Sequence, residues 1–191
     1  MVAGIVLVAL GESIVAIGTG LTGELDAGVI VAALLGLVLA CALWWAYFDV
    51  IALLAERRFR SMTGQELVEL ARDAYSYLHL PMVAGIVLVA LGVKKTIGHV
   101  EEPLATVPAV ALFGGVALYH GAHVAFRLRT FGTVNVQRLL TALAAIALIP
   151  LAREVDALLA LALAAALASG VIAYEAVRYR DSRHRIRAEH A

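Results

Sequence analysis

The chain is 191 residues long with a formal net charge of zero at pH 7, yet 62% of it is hydrophobic and its mean hydropathy is +0.90. Soluble domains use roughly 45–50% apolar residues, so composition excludes a water-soluble globular domain and indicates an all-α polytopic membrane protein. Charges lie between apolar stretches, and the single Cys41 excludes an internal disulfide and reads as a small packing residue.

A helix needs about 20 apolar residues to cross the hydrocarbon core. Stretches 1–20, 27–54, 74–93, 104–126, 134–151 and 155–179 meet or approach that length and predict a bundle of about six spans, with 180–191 as a basic cytoplasmic tail. The first stretch has no basic lead-in and carries Glu12, so it does not read as a cleavable signal. Gly18, Gly20 and Gly23 close it. Ionisable residues at membrane depth are costly and usually face a cavity or a partner, which makes Glu12 a candidate carrier of a proton or cation. The plainer alternative is a hydrogen bond to a neighbouring helix. Gly4 and Gly11 lie seven residues apart, nearly on one face, where another backbone can approach closely.

The second stretch ends in Trp44, Trp45, Tyr47 and Phe48, which fit an interfacial aromatic belt, and in Asp49, whose simplest partner is Arg57 or Arg58. Thr63-Gly64-Gln65-Glu66 then matches a capping box, and Leu67, Leu70, Ala71 and Ala74 follow at helical spacing. This predicts a short amphipathic helix at the cytoplasmic interface that runs into the third span. That span begins with Tyr75, Tyr77 and His79 and contains Pro81, which cannot donate to the carbonyl of Tyr77 and so predicts a kink. Lys94 and Lys95 are expected to snorkel, with Glu101 and Glu102 to neutralise them. Pro103 and Pro108 mark the start of the fourth span, on which His120 and His123 share one face. Two ligands do not make a metal site. The histidines therefore read as a relay with His79 or Asp49, or as ordinary hydrogen bonding within the bundle. The Ala-rich run 158–170 offers small residues for close packing, and Glu175 lies near an interface.

Arginines 57, 58, 60, 72, 127, 129 and 138 and those of the tail fall on one side, against Lys94, Lys95 and Arg153 on the other. The positive-inside rule then predicts cytoplasmic termini. The run Met1–Gly11 recurs letter for letter at Met82–Gly92. With two spans between the copies, both helices should point the same way: a parallel repeat rather than the inverted kind common in transporters. No Gly-rich nucleotide loop, nucleophile elbow or zinc-protease motif is present, so no cofactor, resident metal or nucleic-acid partner is expected.

Four motifs in order, Leu10-Gly11-Glu12-Ser13-Ile14-Val15-Ala16, Trp44-Trp45-Ala46-Tyr47-Phe48-Asp49, Tyr75-Ser76-Tyr77-Leu78-His79-Leu80-Pro81 leading to Gly85, and Gly121-Ala122-His123-Val124-Ala125-Phe126-Arg127, together resemble the bacterial low temperature requirement A family. The resemblance implies a polytopic bacterial inner-membrane protein and a link to growth in the cold, but no assigned catalytic residues. It also implies that the chain corresponds to the C-terminal half of a longer protein. The expected partners are the bilayer, with a second copy or a missing N-terminal half. The leading functional expectation is ion or small-solute transport along a polar pathway formed by Glu12, Asp49, His79, His120 and His123. The alternatives are an intramembrane enzyme acting on a lipid, which is the less favoured, and a non-catalytic membrane organiser.

Overall fold

The computed structural model of the chain describes residues 2–20, 26–48 and 63–178. Seven helices carry the described fold: α1 (Val2–Gly20), α2 (Ala27–Phe48), α3 (Gly64–Ala71), α4 (His79–Gly98), α5 (Thr106–Phe131), α6 (Val136–Leu148) and α7 (Ala157–Arg178). Among the described residues there is no strand beyond one isolated bridge, Pro103 with Asp156. Five helices among the described residues are long and apolar enough to cross a bilayer: α2, α4, α5, α7 and the segment Val136–Arg153 containing α6; α1 is a shorter apolar helix. The chain is an all-α membrane bundle. Only helices satisfy every backbone group internally without a closed barrel, which is why so apolar a sequence takes this form. The tail 180–191 and the arginines at 57, 58 and 60 lie outside the described residues.

Helix α4 is the centre of the bundle. It lies beside α1, with Gly20 near Ile97 and the carbonyl of Lys94, so the two copies of the repeated segment run in the same direction. On its other side α4 crosses α5 at backbone contact. A Cβ on Gly85 would lie 2.8 Å from the Gly115 carbonyl oxygen, and one on Gly115 would lie 2.7 Å from that of Gly85. One turn pair further on, a Cβ on Gly92 would lie 2.6 Å from Leu112 Cβ. Where lipid gives no hydrophobic drive for helices to associate, such close approach supplies much of the attraction. Helix α7 packs on α2 through buried Ala160, Ala164, Ala165 and Ala168.

Local irregularities sit where the sequence breaks the helical ladder. The residues before Pro81 form a π-helical turn, Arg72–Tyr77, closed by Leu78 N–H donating to the Asp73 carbonyl at 3.1 Å. A second π-turn, Val110–Gly114, lies just inside α5 after Pro108. Thr63 stands at the N-cap of α3, but its side chain makes no capping bond, so the expected capping box does not close. Gly132, at φ +67°, ends α5 in the left-handed conformation that glycine adopts freely. At the start of α7, the N–H groups of Ala157 and Leu158 donate to the carbonyls of Glu102 and Val100, so the α4–α5 loop caps that helix.

The exposed cations divide between the two ends of the bundle. Arg72, Arg127 and Arg129 lie at one end, and Lys94, Lys95 and Arg153 at the other. At the arginine end, Asp73 accepts from Arg129 Nε (3.1 Å) and Nη2 (2.9 Å) and from Arg72, tying the π-turn to the last turn of α5. Those hydrogen bonds, Arg129's foremost, hold the Asp73 carboxyl below its usual range. At the lysine end, Glu102 lies 3.6 Å from His99 rather than against a lysine.

Candidate functional site

Near the arginine end of the bundle, α2, α4, α5, α6 and α7 bring polar side chains together in the core. The last turns of α2 are their meeting point. Tyr47 Oη and His79 Nε2 are linked by a hydrogen bond of 2.9 Å, joining α2 to α4. Tyr119 on α5 donates its hydroxyl to the Leu43 carbonyl at 2.6 Å. Arg138 on α6 donates from Nη2 to the Ala46 carbonyl at 3.1 Å. Three helices are thus fastened to residues 43–47 by buried hydrogen bonds.

His120 and His123 sit one turn apart on α5, and both are fully buried. His123 Nδ1 is 2.9 Å from the Tyr119 carbonyl oxygen, which can only accept, so Nδ1 carries the proton. In the neutral ring Nε2 is then left with its lone pair, and it has no hydrogen-bond partner among the described residues. Neither ring nitrogen of His120 has one either. Ring centroids stand 6.5 Å apart between His120 and His123, 6.3 Å between His123 and Tyr47, and 5.6 Å between Tyr47 and His79. In this file Tyr47 and His79 are hydrogen-bonded, whereas His123 Nε2 and both His120 nitrogens make no hydrogen bond among the described residues.

Beside the file lies an ion pair. Arg138 grips Glu175 through Nε (3.0 Å) and Nη2 (2.9 Å), and Asn135 Nδ2 donates to the same carboxylate at 2.7 Å. Asn135 also caps α6, its Oδ1 accepting from the Arg138 N–H. The Arg138 side chain is only 5% exposed, and its Nη1 has no hydrogen-bond partner among the described residues. Fork-to-fork geometry of this kind holds a guanidinium in a fixed plane.

Of the five residues expected to share a pathway, His79, His120 and His123 converge. Glu12 does not, being exposed on the face of α1 turned away from the bundle. Asp49 lies outside the described residues. Several participants escape a reading by sequence alone. Tyr47 is expected in an interfacial belt but is buried at 4% exposure, while its neighbours Trp44 and Trp45 face outward. Arg138 is expected among loop charges and instead turns inward from the first turn of α6. Its signal was available: Asn135, a strong N-cap, places Arg138 inside a helix. Among the described residues, no three His, Cys, Asp or Glu side chains gather as a metal-binding group.

The model of the bacterial low temperature requirement A protein family matches residues 2–173 of the chain. No curated protein and no solved structure matches it.

Proposed function

The chain belongs to the bacterial low temperature requirement A family, and from that premise we propose that it moves protons, or an ion exchanged against them, along the buried file of His79, Tyr47, His123 and His120. It is an integral membrane protein. The observation that carries the reading is the set of unpartnered buried nitrogens: both of His120, Nε2 of His123 and Nη1 of Arg138. Leaving a buried polar atom unsatisfied costs about 1–3 kcal/mol, and such groups in native proteins call for a water, an ion or a catalytic role. His123 Nε2 and the two His120 nitrogens make no hydrogen bond among the described residues, so a proton would cross from ring to ring where a ring rotation or a bridging water joins them. Histidine and tyrosine are suited to this because each both donates and accepts.

We further place the protein in the inner membrane, crossing it several times, with both termini cytoplasmic. By sequence, the arginines at 57, 58, 60, 72, 127 and 129 and those of the tail outnumber Lys94, Lys95 and Arg153 in the sense of the positive-inside rule. Arg138 no longer contributes to that count.

The test is proton flux into vesicles reconstituted with the purified protein, read with an entrapped pH dye under an imposed potential. The wild type should conduct above protein-free vesicles, and His120→Ala and His123→Ala should remove most of that flux while retaining helical circular dichroism. Unchanged flux of protons and of exchanged cations in both well-folded variants overturns the reading and favours the membrane organiser.

A further inference from the structure

Three threonines are buried among the described residues: Thr96, Thr130 and Thr141. Inside an apolar helix a threonine ordinarily satisfies its hydroxyl on the carbonyl one turn back. Thr96 does so on Gly92 at 3.1 Å, and Thr141 on Gln137 at 3.0 Å. Thr130, in the last turn of α5, does not. It is 4% exposed, and its Oγ1 has no hydrogen-bond partner among the described residues. Its hydroxyl forgoes an acceptor that its own helix provides.

What Thr130 faces follows from its register. Tyr119, His123, Phe126 and Thr130 recur at steps of four, three and four residues, so they share one face of α5, and all four are buried. That face carries His123 of the file, and the Phe126 ring packs edge-on against His79 with centroids 5.5 Å apart. Thr130 stands one turn beyond Phe126, toward the arginine end. Its neighbour Arg129 is already at the surface, with a side chain 45% exposed, and binds Asp73 of the π-turn that leads into His79. On this face of α5, Thr130 is thus the last buried polar group between the file and the aqueous surface. The helix ends at Phe131, so the carbonyls of Arg129, Thr130 and Phe131 have no intrahelical donor.

We propose that Thr130 is the mouth of the proton path at the arginine end: its hydroxyl holds a water that passes protons between the surface beside Asp73 and His79. The inference rests on the buried file as a proton path and adds the step by which protons enter it. A water there has the partners it needs: the Thr130 hydroxyl, which can donate and accept, and the spare lone pairs of carbonyls in the last turn of α5. It takes up one proton from the aqueous side as it gives one to His79, so the water is regenerated at each transfer. The Asp73–Arg129 pair, which ties the π-turn to α5, holds the two walls of this mouth together.

The experiment uses the full chain in vesicles, with the same proton-flux readout and His123→Ala as the comparator. Thr130→Val keeps the branched shape and removes the hydroxyl. It should lower flux about tenfold, the rate factor for one hydrogen bond lost from a transfer step, with helical circular dichroism unchanged. Thr130→Ser, which keeps the hydroxyl, should conduct like the wild type. Thiol labelling tests for water at the site independently of flux. In a Cys41→Ala background, Thr130→Cys should react with a charged methanethiosulfonate reagent, because only a hydrated thiol ionises readily. Ala165→Cys, buried where α7 packs on α2, should stay inert. Wild-type flux in Thr130→Val beside its loss in His123→Ala overturns the mouth and leaves the file standing. A Thr130→Cys as inert as Ala165→Cys overturns it whatever the flux. Absence of flux in the wild type removes the file and the mouth together.

Discussion

The repeated segment permits a stability comparison in which local sequence is held constant. Gly92→Ala and Gly11→Ala place the same methyl in the same eleven-residue context, but a Cβ at Gly92 would stand 2.6 to 2.8 Å from Leu112 Cβ, Cα and N, whereas one at Gly11 meets nothing within 4 Å. Carbon contacts are optimal near 3.5–4.0 Å. Backbone atoms cannot rotate aside, so α5 must retreat from α4 by roughly 0.8 Å. Overpacking of this kind costs about 1–3 kcal/mol, and the backbone contact puts Gly92→Ala toward the upper end. Alanine returns about 0.5–1 kcal/mol of helix propensity at either site. Gly92→Ala should therefore destabilise the bundle by about 2 kcal/mol, and Gly11→Ala should be neutral or stabilising by up to about 1 kcal/mol. The assay is equilibrium unfolding by sodium dodecyl sulfate in excess mild detergent, followed by far-ultraviolet circular dichroism and by Trp44 and Trp45 fluorescence. Equal effects of the two substitutions would refute the α4–α5 crossing as the element that sets helix spacing. Gly85→Ala, aimed at the Gly115 carbonyl and the Tyr119 N–H, should repeat the Gly92 result and also displace the helix that carries His120 and His123.

Breaking the ion pair with Arg138→Leu or Glu175→Leu should cost about 3–5 kcal/mol in the same assay, because each leaves a charge uncompensated in the core; the double variant should recover most of the loss, and its failure to do so would show that the pair is not an isolated unit. Tyr119→Phe removes the hydroxyl donated to Leu43 while keeping the ring, and should cost about 1 kcal/mol in that unfolding titration. Tyr47→Phe keeps the packing but breaks the one direct hydrogen bond of the file, so proton flux should fall far more than stability does; parallel losses would point to a structural role alone. For Asp73, whose carboxyl is held low by Arg129 and Arg72, the stabilisation is present above the unfolded Asp range near pH 4 and is lost as pH falls through the lowered native value. An acid titration of stability should therefore show a transition that Asp73→Asn removes.

The membrane fold was legible because a bilayer accepts few solutions: long apolar runs with short polar joints become helices wherever they occur. His120 and His123 stood out for the same reason, as titratable groups deep in such a run. The rotation of each helix was not legible. Helix α1 is apolar almost all round, so its sequence does not say which face meets the bundle, and Glu12 could be placed at depth but not given a direction. Tyr47 was hidden by its neighbours, since an aromatic near the end of a span is expected at the interface. Arg138 and Glu175 lie 37 residues apart near the ends of different helices, where charges ordinarily belong to loops, and only the packing of α6 beside α7 makes them a pair.

The same packing binds the site to the fold. Helix α2 is as uniformly apolar as α1, and hydrophobicity alone leaves its position in the bilayer undetermined. What determines it, besides the alanine face of α7, is the set of hydrogen bonds ending at Leu43, Ala46 and Tyr47, made by α5, α6 and α4 in turn. Two of those bonds come from residues next to the histidine file and the third belongs to it. Removing a donor therefore both disturbs the proposed path and releases α2. Alanine substitutions at Arg138 or Tyr119 would confound the two effects, whereas Tyr47→Phe, His120→Ala and His123→Ala leave the donors to α2 from α5 and α6 in place. Loss of flux in those three, with α2 still anchored, is the result that a structural role for the polar cluster does not produce.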